Sequence, residues 1–443
     1  MIVSFSVSNF RSFSTEETFS LVASNRLSGT HDDHAVPIPD SKEKVLRTAV
    51  LYGANGAGKS NLFKALRYLK WLALTTRPKE SGTGREPFRF GGTADAPSRF
   101  DLQFTVADKL YRFGLNADDK RITEEWLYQV VGNRERLLFD RTTDENGEVA
   151  IDASGLKSAG DKVTALATVG GPQNQSFLST LNATLGAGDF GDELSHVLNW
   201  FKRGLNLIGP DESWPVGRRL NQDPRFLSFA GDFLRSASTG VNRLEVLKKG
   251  SSDDADSVVL QDLVEGEWIQ LRDGQELLIQ GKGEVRAYQI RVQAVHEHEP
   301  GKIVRLDMAE ESDGTRRLLN LISALHSGHS YGAVYFIDEI DRSLHPILVK
   351  EFLEFFLKSR EGDPRQLILT THESNLLDQD LLRRDEIWFA EKDQAAATRL
   401  YSLLDFKVRN DLEIRKHYLQ GRFGAVPFLG NLENLAAKTD RAE

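Results

Sequence analysis

The octapeptide Gly53-Ala-Asn-Gly-Ala-Gly-Lys-Ser60 constrains this chain most. It fits the pattern G-x-x-x-x-G-K-[ST], in which backbone N–H groups and a helix N-terminus surround a phosphate. Residues 45–52 before it are apolar and β-branched, which predicts a buried strand. Residues 61–70 after it place apolar side chains on one face of a helix. The sequence therefore predicts a binding site for a nucleoside triphosphate.

Each residue type in this loop has a chemical reason. Lys59 is expected to reach the β- and γ-phosphates, and the hydroxyl of Ser60 to bind Mg²⁺. Glycines allow the tight turn and the close approach of the phosphates. The predicted nucleotide-binding residues of the loop are Gly53, Asn55, Gly56, Gly58, Lys59, Ser60 and Asn61.

Composition narrows the class of protein. The chain has 443 residues, 40% of them apolar and 27% charged, which is typical of a globular protein with two or three domains. A net charge of −9 argues against a globally basic nucleic-acid binder, and the absence of cysteine excludes disulfides and thiolate metal sites. Residues 1–10 alternate as a strand does, and no stretch approaches 18 apolar residues. A cytoplasmic location without membrane contact is therefore expected.

Periodicity predicts how the chain is organised. Strands are expected at 2–7, 17–22, 99–106, 109–116, 125–131, 277–279, 287–295 and 302–308. Helices are expected at 176–206 and 223–248, a loop at 24–44, a Gly/Pro-rich linker at 77–98 and a polar stretch of little periodicity at 140–175. The predicted segments are an N-terminal part of an ATPase head (1–76), an antiparallel β lobe (77–150), a helical insert (151–275), a C-terminal part of the head (276–430) and a tail (431–443). No heptad pattern is sustained, so a long coiled coil is not expected.

A second motif places two carboxylates after an apolar run. Residues 333–337 are continuously apolar and end in Asp338-Glu339, which predicts a buried parallel strand with both acids at its carboxyl end. Asp338 is expected to hold Mg²⁺, and Glu339 to orient or deprotonate the attacking water. Taken alone, the pair also fits a strand that merely ends in exposed acids.

Two further motifs have both a functional and a structural interpretation. Ser312, followed by Gly314, opens a predicted helix and is a suitable N-cap, which fits an anion site or an ordinary capped helix. His372 ends the apolar segment 366–371 and fits a γ-phosphate contact or a structural histidine at a strand end. These alternatives are not decided by each motif alone.

The order of the motifs resembles the ATP-binding-cassette ATPases of the SMC, RecF and OLD group. The closer resemblance is to the AAA-fifteen family of stand-alone ABC-like ATPases, strongly over residues 1–72 and about 303–430. The matching strings are 311–315, 337–346, 366–372, 382–388 and 418–428. The resemblance implies an α/β fold of the ABC/SMC head type, with a mixed sheet, an antiparallel β lobe and an inserted helical and β region.

The resemblance also implies site residues that spacing alone does not. Two heads would close on two ATP molecules, with Ser312 and Gly314 reaching the γ-phosphate bound by the other copy. Asp341 would couple the two sites. Arg11 would approach the nucleotide, and Gln103 is the nearest candidate for a glutamine that senses Mg²⁺. Glu339 would be the catalytic base and His372 the switch histidine.

Members of such families are often found in bacterial anti-phage or abortive-infection systems. The resemblance therefore implies an Mg-ATP-dependent sensor or regulator of a separate nuclease or toxin, with a DNA or phage-derived trigger. No nuclease pattern stands out in the chain itself. The alternatives are a RecF-like repair ATPase that binds DNA directly, and a nucleotide-gated scaffold with slow turnover.

Other polar and aromatic groups have less specific patterns. Two histidine pairs have the residue types of metal ligands: His296 with His298, and His31 with His34 beside Asp32 and Asp33. An ordinary strand is favoured for the first pair and an ordinary loop for the second. The basic pairs Lys248-Lys249 and Arg383-Arg384 are expected at the solvated surface. Trp200 and Trp214 are expected in the protein core or at an interface.

Overall fold

The computed structural model divides the chain into two compact units. The first unit comprises Met1–Leu207, His329–Ile340 and Ser359–Glu443, and the second comprises Ile208–Gly328 and Asp341–Lys358. The structure describes residues 1–156, 160–212, 216–250, 268–270, 276–280, 286–299, 301–326, 333–358, 364–407 and 413–426. The predicted tail, 431–443, lies outside these residues, as does most of the acidic stretch 251–275.

The strands are β1 (Ile2–Ser8), β2 (Glu17–Ser20), β3 (Ala35–Pro37), β4 (Lys44–Leu46), β5 (Thr48–Tyr52), β6 (Ser98–Val106), β7 (Lys109–Ala117), β8 (Ile122–Val131), β9 (Arg134–Thr143), β10 (Val149–Asp152), β11 (Leu205–Ile208), β12 (Arg243–Gly250), β13 (Trp268–Gln270), β14 (Glu276–Gln280), β15 (Arg286–Glu299), β16 (Lys302–Asp307), β17 (Val334–Ile337), β18 (Gln366–Thr370), β19 (Ile387–Lys392) and β20 (Thr398–Ser402). The α-helices are α1 (Lys59–Leu74), α2 (Asp161–Val169), α3 (Phe177–Thr184), α4 (Asp192–Asn199), α5 (Gly217–Gln222), α6 (Pro224–Ser236), α7 (Asp313–Leu321), α8 (Pro346–Leu357) and α9 (Ile414–Leu419). None of the described helices is long and apolar enough to cross a membrane.

A seven-stranded sheet in the order β10-β9-β8-β7-β6-β1-β2 forms the antiparallel lobe of the first unit. Consecutive strands pair antiparallel, as short connections allow. The predicted meander is confirmed and extends further than expected, because β9 and β10 add two strands; β9 begins before the polar stretch 140–175 and β10 lies within it. The same polar stretch also contains α2.

A six-stranded sheet in the order β11-β17-β18-β5-β19-β20 carries the nucleotide-binding motif. Strands β17, β18, β5 and β19 pair parallel with one another in this order, while β20 pairs antiparallel with β19. Every residue of β5, β17 and β18 is buried, as expected for parallel strands covered on both faces. With the antiparallel lobe and the inserted region, this mixed sheet confirms the predicted α/β fold class.

A buried glutamine joins the seven-stranded and the six-stranded sheets. The side chain of Gln366 in β18 accepts a hydrogen bond from the Ile2 backbone N–H at 2.7 Å. Its amide donates to the carbonyl oxygens of Ile2 at 2.9 Å and Leu46 at 2.8 Å. A buried amide satisfied in this way fixes the edge of the lobe against the sheet that carries the site.

A buried carboxylate ties the lobe to the helical insert. Glu125 in β8 accepts hydrogen bonds from the backbone N–H groups of Phe177 at 2.6 Å and Leu178 at 3.2 Å, at the start of α3. Burial raises the pKa of Glu125 to about 7. The carboxylate satisfies helix N-terminal donors that have no partner within the helix.

The second unit contains a sheet in the order β12-β15-β14-β13, with β16 paired to β15. Its described helices include α5, α6, α7 and α8. The prediction of a helix over 223–248 is right for 224–236 and wrong for 243–248, which belong to β12 and pair antiparallel with β15. Tertiary pairing with β15, distant in sequence, overrides the local pattern there.

Candidate nucleotide-binding site

The Gly53–Ser60 loop connects β5 to α1, as the sequence predicted. Gly56 and Gly58 have φ angles of +79° and +114°, which L-residues with a side chain rarely adopt. A Cβ atom on Gly58 would lie 2.1 Å from the Thr398 hydroxyl oxygen. This position therefore requires glycine for both conformation and space.

The Lys59 side chain lies against the backbone of the loop. The side chain is buried, and Nζ donates to the Gly53 carbonyl oxygen at 2.8 Å. Nζ also lies 3.0 Å from Nε2 of His372. The ammonium therefore lies between the loop and the end of β18, where it is placed to meet an anion bound by the loop.

Thr370 connects the two acidic residues that follow β17. Its hydroxyl donates to Oδ1 of Asp338 at 2.6 Å and accepts from the backbone N–H of Glu339 at 2.8 Å. Asp338 is buried, whereas Glu339 is only partly buried. One hydroxyl thus fixes the Asp338 carboxylate and the backbone from which the Glu339 side chain extends.

Glu339 has a left-handed backbone, with a φ of +49°. A non-glycine residue in this region is strained by about 1–3 kcal/mol, and such strain persists where the surroundings over-determine it. Here the constraints are the hydrogen bond from its N–H to Thr370 and the bond from the Ile340 N–H to the Thr370 carbonyl oxygen at 3.1 Å. The turn therefore holds Glu339, with its strained backbone, at the carboxyl edge of the sheet.

Strand order explains why these groups meet. Strands β17, β18 and β5 are adjacent and parallel, so the residues that follow them lie along one edge of the sheet. The edge brings together Lys59, the pair Asp338 and Glu339, and His372. The set can hold a phosphate, a divalent cation through oxygen ligands and an activated water.

The N-terminal turn supports the loop from one side. The Asn61 side-chain amide donates to the Ser12 hydroxyl at 2.8 Å. The Thr398 hydroxyl oxygen lies 2.7 Å from the same Ser12 oxygen and 2.8 Å from the Ala57 carbonyl oxygen. The Asn61 side chain therefore helps to hold the N-terminal turn against the loop. Its contact with nucleotide stays a prediction. Ser60 is half-buried and Asn55 is exposed.

Arg11 and Gln103 are predicted site residues with other described contacts. Arg11 has a φ of +52°, and its guanidinium pairs with the carboxylate of Glu86. Gln103 is half-buried in β6, opposite Ser4 and Arg112 of the neighbouring strands. Contact of either residue with a nucleotide or Mg²⁺ stays a prediction.

Ser312 and Gly314, which form the predicted signature motif, belong to the second unit. Ser312 caps α7, where its hydroxyl oxygen accepts from the Thr315 backbone N–H at 3.2 Å and lies 2.9 Å from the Thr315 hydroxyl. A Cβ on Gly314 would lie 3.0 Å from the Ser343 carbonyl oxygen, so the start of α7 packs closely on the turn that begins at Asp341. Ser312, Gly314 and Asp341 therefore form one local arrangement.

Sequence reasoning missed several supporting residues. Thr370 lies inside the strand that precedes His372, and its position beside Asp338 depends on the pairing of β17 with β18, in which Leu369 lies opposite Ile337. Glu86 and Thr398 carry no motif of their own and act through contacts between distant segments. A hydroxyl that bonds across strands has no periodic signal in sequence.

Comparison with known families gives one direct match. Residues 49–378 match the family model described as "AAA domain, putative AbiEii toxin, Type IV TA system". The match covers the phosphate-binding loop, the signature, the acidic pair and His372. It confirms the resemblance to AAA-type, ABC-like ATPases and indicates a chain that binds ATP and hydrolyses it, typically with Mg²⁺. No curated protein matches the sequence significantly.

Solved structures with similarity to the chain include heads of SMC proteins. The SMC head domain from Thermotoga maritima is 12% identical with a TM-score of 0.36, over 90% of this chain and 98% of that one. An Smc head domain bound to the C-terminal domain of ScpA, derived from Pyrococcus furiosus, is 12% identical with a TM-score of 0.38, over 90% and 96%. No functional conclusion rests on these values.

Proposed function

The chain belongs to this AAA domain family, and from that premise we propose that it is an Mg-ATP-dependent switch. Two copies would close around ATP, and the closed and open states would regulate a separate nuclease or toxin in bacterial defence against phage. The observation that carries the proposal is the division of the motifs. The phosphate-binding and catalytic groups belong to one compact unit, and Ser312, Gly314 and Asp341 to the other.

The chemistry of the first unit fits ATP hydrolysis. The Lys59 ammonium would neutralise charge on the β- and γ-phosphates. Ser60 and Asp338 offer the hard oxygen ligands that Mg²⁺ prefers, and the ion would supply charge neutralisation and orientation of the phosphates. Glu339 would accept a proton from the attacking water, and His372, 3.0 Å from Lys59 Nζ, would sense the γ-phosphate.

The second unit fits recognition of a nucleotide bound by another copy. The N-terminus of α7 carries a partial positive charge, and Ser312 offers a hydroxyl beside it. Gly314 leaves the approach free of a side chain. We propose that this helix end meets the γ-phosphate held by the partner copy, so that ATP joins the two copies and hydrolysis releases them.

The role in defence rests on the family. Its description names an AbiEii-type toxin of a type IV toxin–antitoxin system, which supports a function in a system of more than one component. The effector would then be a second polypeptide controlled by the ATP-bound state. A phage-derived trigger would act by changing the rate of closure or of hydrolysis.

Complementation between two inactive variants tests the shared site. Lys59→Ala removes the phosphate ligand and keeps the signature, whereas Ser312→Arg blocks the signature and keeps the phosphate-binding loop. Each variant alone should lack ATPase activity, and an equimolar mixture should regain up to about a quarter of the wild-type rate, because one of two sites in half of the dimers is complete. A mixture as inactive as its components would contradict the shared site.

The same assay separates this function from direct DNA repair. We expect ATP turnover by the purified chain to change less than twofold on addition of DNA ends or gaps. Strong stimulation that falls steeply with salt would instead support the RecF-like alternative, because phosphate contacts release counterions. The matched control is Glu351→Gln, an exposed change on α8 that leaves the motifs intact.

A further inference from the structure

Three side chains near the N-terminus form a second cluster of metal-ligating groups in the first unit. His31, Asp33 and His34 each offer a ligand atom, and these atoms all lie within 4.8 Å of one another. The two imidazole rings are nearly parallel, with their centroids 4.8 Å apart. His34 is buried, His31 is half-buried and Asp33 is exposed.

Both histidines are oriented by hydrogen bonds through one ring nitrogen. Nε2 of His31 lies 2.9 Å from the Gln379 carbonyl oxygen. A carbonyl can only accept, so Nε2 carries the proton and Nδ1 of His31 keeps its lone pair. Metal-binding histidines almost always donate their second N–H to a carbonyl or carboxylate in this way.

The second histidine repeats this arrangement with a carboxylate. Nδ1 of His34 lies 3.0 and 3.1 Å from the two oxygens of Glu386, which also accepts from the Arg383 backbone N–H at 2.7 Å. The Glu386 carboxylate accepts a hydrogen bond from the Nδ1–H of His34, so Nε2 of His34 keeps its lone pair. These hydrogen bonds therefore leave one unprotonated nitrogen on each imidazole ring.

We propose that His31, Asp33 and His34 bind a transition-metal cation of the zinc class. Two imidazole nitrogens and one carboxylate are a common three-residue set for Zn²⁺, and the fourth position would hold water. The set does not suit Mg²⁺, which prefers oxygen ligands. The ion would thus be distinct in chemistry from the one proposed for the nucleotide site.

Modest side-chain movement completes the geometry. Ligand atoms in a tetrahedral zinc site lie about 3.3 Å apart, since each bond is about 2.0–2.1 Å. The ligand atoms lie within 4.8 Å of one another, so their separations must shorten by at most about 1.5 Å. Asp33 is exposed, so its side chain can rotate, and its backbone carbonyl oxygen accepts a hydrogen bond from Arg47 at 3.4 Å.

The consequence of binding follows from what the two histidines already contact. His31 and His34 reach the segment from Gln379 to Glu386, and Arg383 donates to the carbonyl oxygens of Thr30 at 2.7 Å and Ser24 at 3.3 Å. A bound cation would fix both imidazoles and so fasten residues 24–34 to this C-terminal segment. The gain in stability would come from binding the folded form alone.

Zinc titration of the full chain tests the proposal. The protein is stripped with a chelator, desalted and titrated with Zn²⁺ in competition with a chromophoric chelator, with millimolar Mg²⁺ present and no ATP. We expect about one Zn²⁺ per chain, and a melting temperature that rises with Zn²⁺. His31→Asn and Asp33→Asn should weaken binding at least about tenfold and remove the rise; asparagine tolerates the φ of +46° at position 31.

Two matched variants control for general effects. Asp32→Asn changes the neighbouring carboxylate outside the cluster, and His298→Ala removes an exposed histidine of the second unit; both should bind Zn²⁺ as the wild type does. Absence of stoichiometric Zn²⁺ in the wild type, or its retention by Asp33→Asn, would overturn the proposal. If His31→Asn does not fold, Asp33→Asn decides alone, because that side chain is exposed. Since no ATP is present, the result does not depend on the ATPase function.

Discussion

The two units hold their motifs in different ways. In the first, side-chain hydrogen bonds join residues far apart in sequence: Lys59 contacts His372, 313 residues away, and Asp338 contacts Thr370, 32 residues away. In the second, the hydroxyl of Ser312 bonds to Thr315, three residues along the same helix. The first region is thus assembled by the fold, whereas the second is a helix end whose functional partner is proposed to be another molecule.

The comparison teaches where substitutions should act. Substitutions at the connected residues of the first unit should impair ATP binding or hydrolysis at the site of the copy that carries them. Changes at the start of α7 should affect steps that need a second copy. Five predictions, from the largest expected effect to the smallest, test this difference.

Glu339→Gln should lower the rate of ATP hydrolysis by about 10²–10³-fold, because the amide cannot accept the proton of the attacking water. Binding of ATP should stay within about threefold of the wild type, and ATP-bound dimers should accumulate. Steady-state turnover, equilibrium binding and size-exclusion chromatography measure the three quantities. Hydrolysis at the wild-type rate would remove Glu339 from the role of base.

Lys59→Ala should weaken ATP binding by about 100-fold, since a charge-assisted contact to the phosphates is lost. Binding is measured with a fluorescent nucleotide. Lys64→Ala is the matched control, because Lys64 lies on the same helix with its side chain exposed. Equal affinities for the two variants would contradict the assigned role of Lys59.

Lys70 tests the packing of the helix that carries Lys59. Burial lowers the pKa of the Lys70 ammonium to about 8, and Nζ donates to the Leu205 carbonyl oxygen at 2.6 Å. Because the pKa in the folded state lies below the value of 10.5 for the free side chain, the free energy of unfolding should rise with pH between about 8 and 10.5.

The predicted rise is about 2 kcal/mol between pH 8 and pH 9.5, at about 1.4 kcal/mol per pH unit. Lys70→Met should lack this part of the pH dependence, and Lys64→Met should keep it. Urea unfolding at several pH values measures it. Parallel curves for the wild type and Lys70→Met would show that the ammonium is not destabilised by burial.

Thr370→Val should lower the rate of hydrolysis by about tenfold, because the Glu339 N–H loses its acceptor and the Asp338 carboxylate loses a donor, each a contact of about 1 kcal/mol. The control is Thr371→Val, one residue along the chain. If both variants lose activity equally, the effect comes from the strand and not from the Thr370 hydroxyl.

Ser312→Ala should lower the stability of the second unit by about 1 kcal/mol, the usual contribution of an N-cap. It should leave ATP affinity of the isolated chain unchanged and lower turnover only at protein concentrations where copies associate. Ser312→Thr restores the cap and serves as the control. A loss of ATP affinity in dilute protein would break the comparison between the two units.

Some of this protein could be predicted because its signals are local. The Gly53–Ser60 loop, its preceding strand and its following helix form one continuous segment, and the all-apolar run before Asp338 needs both faces covered. The family match confirms that these motifs identify an AAA-type ATPase. Local signals fail at 243–248, where a strand forms because β15 supplies its partner.

The metal-ligating cluster shows the same limit on a smaller scale. In sequence, His31, Asp33 and His34 lie in a polar loop, for which an ordinary surface segment is favoured. Only the fold brings Gln379 and Glu386 to the two imidazole rings and so fixes which nitrogens are free. These two residues lie about 350 positions further along the chain than the histidines they contact.

The sequence by itself determined the phosphate-binding loop, the acidic pair, the capped helix at Ser312 and the α/β class, because each depends on residue types at fixed short spacing. Only the tertiary structure decided that Thr370 bridges Asp338 and Glu339, that Lys59 lies beside His372, and that the signature belongs to a separate compact unit. Such contacts depend on strand order and register, which arise from burial over the whole chain and leave no periodic pattern in any one segment.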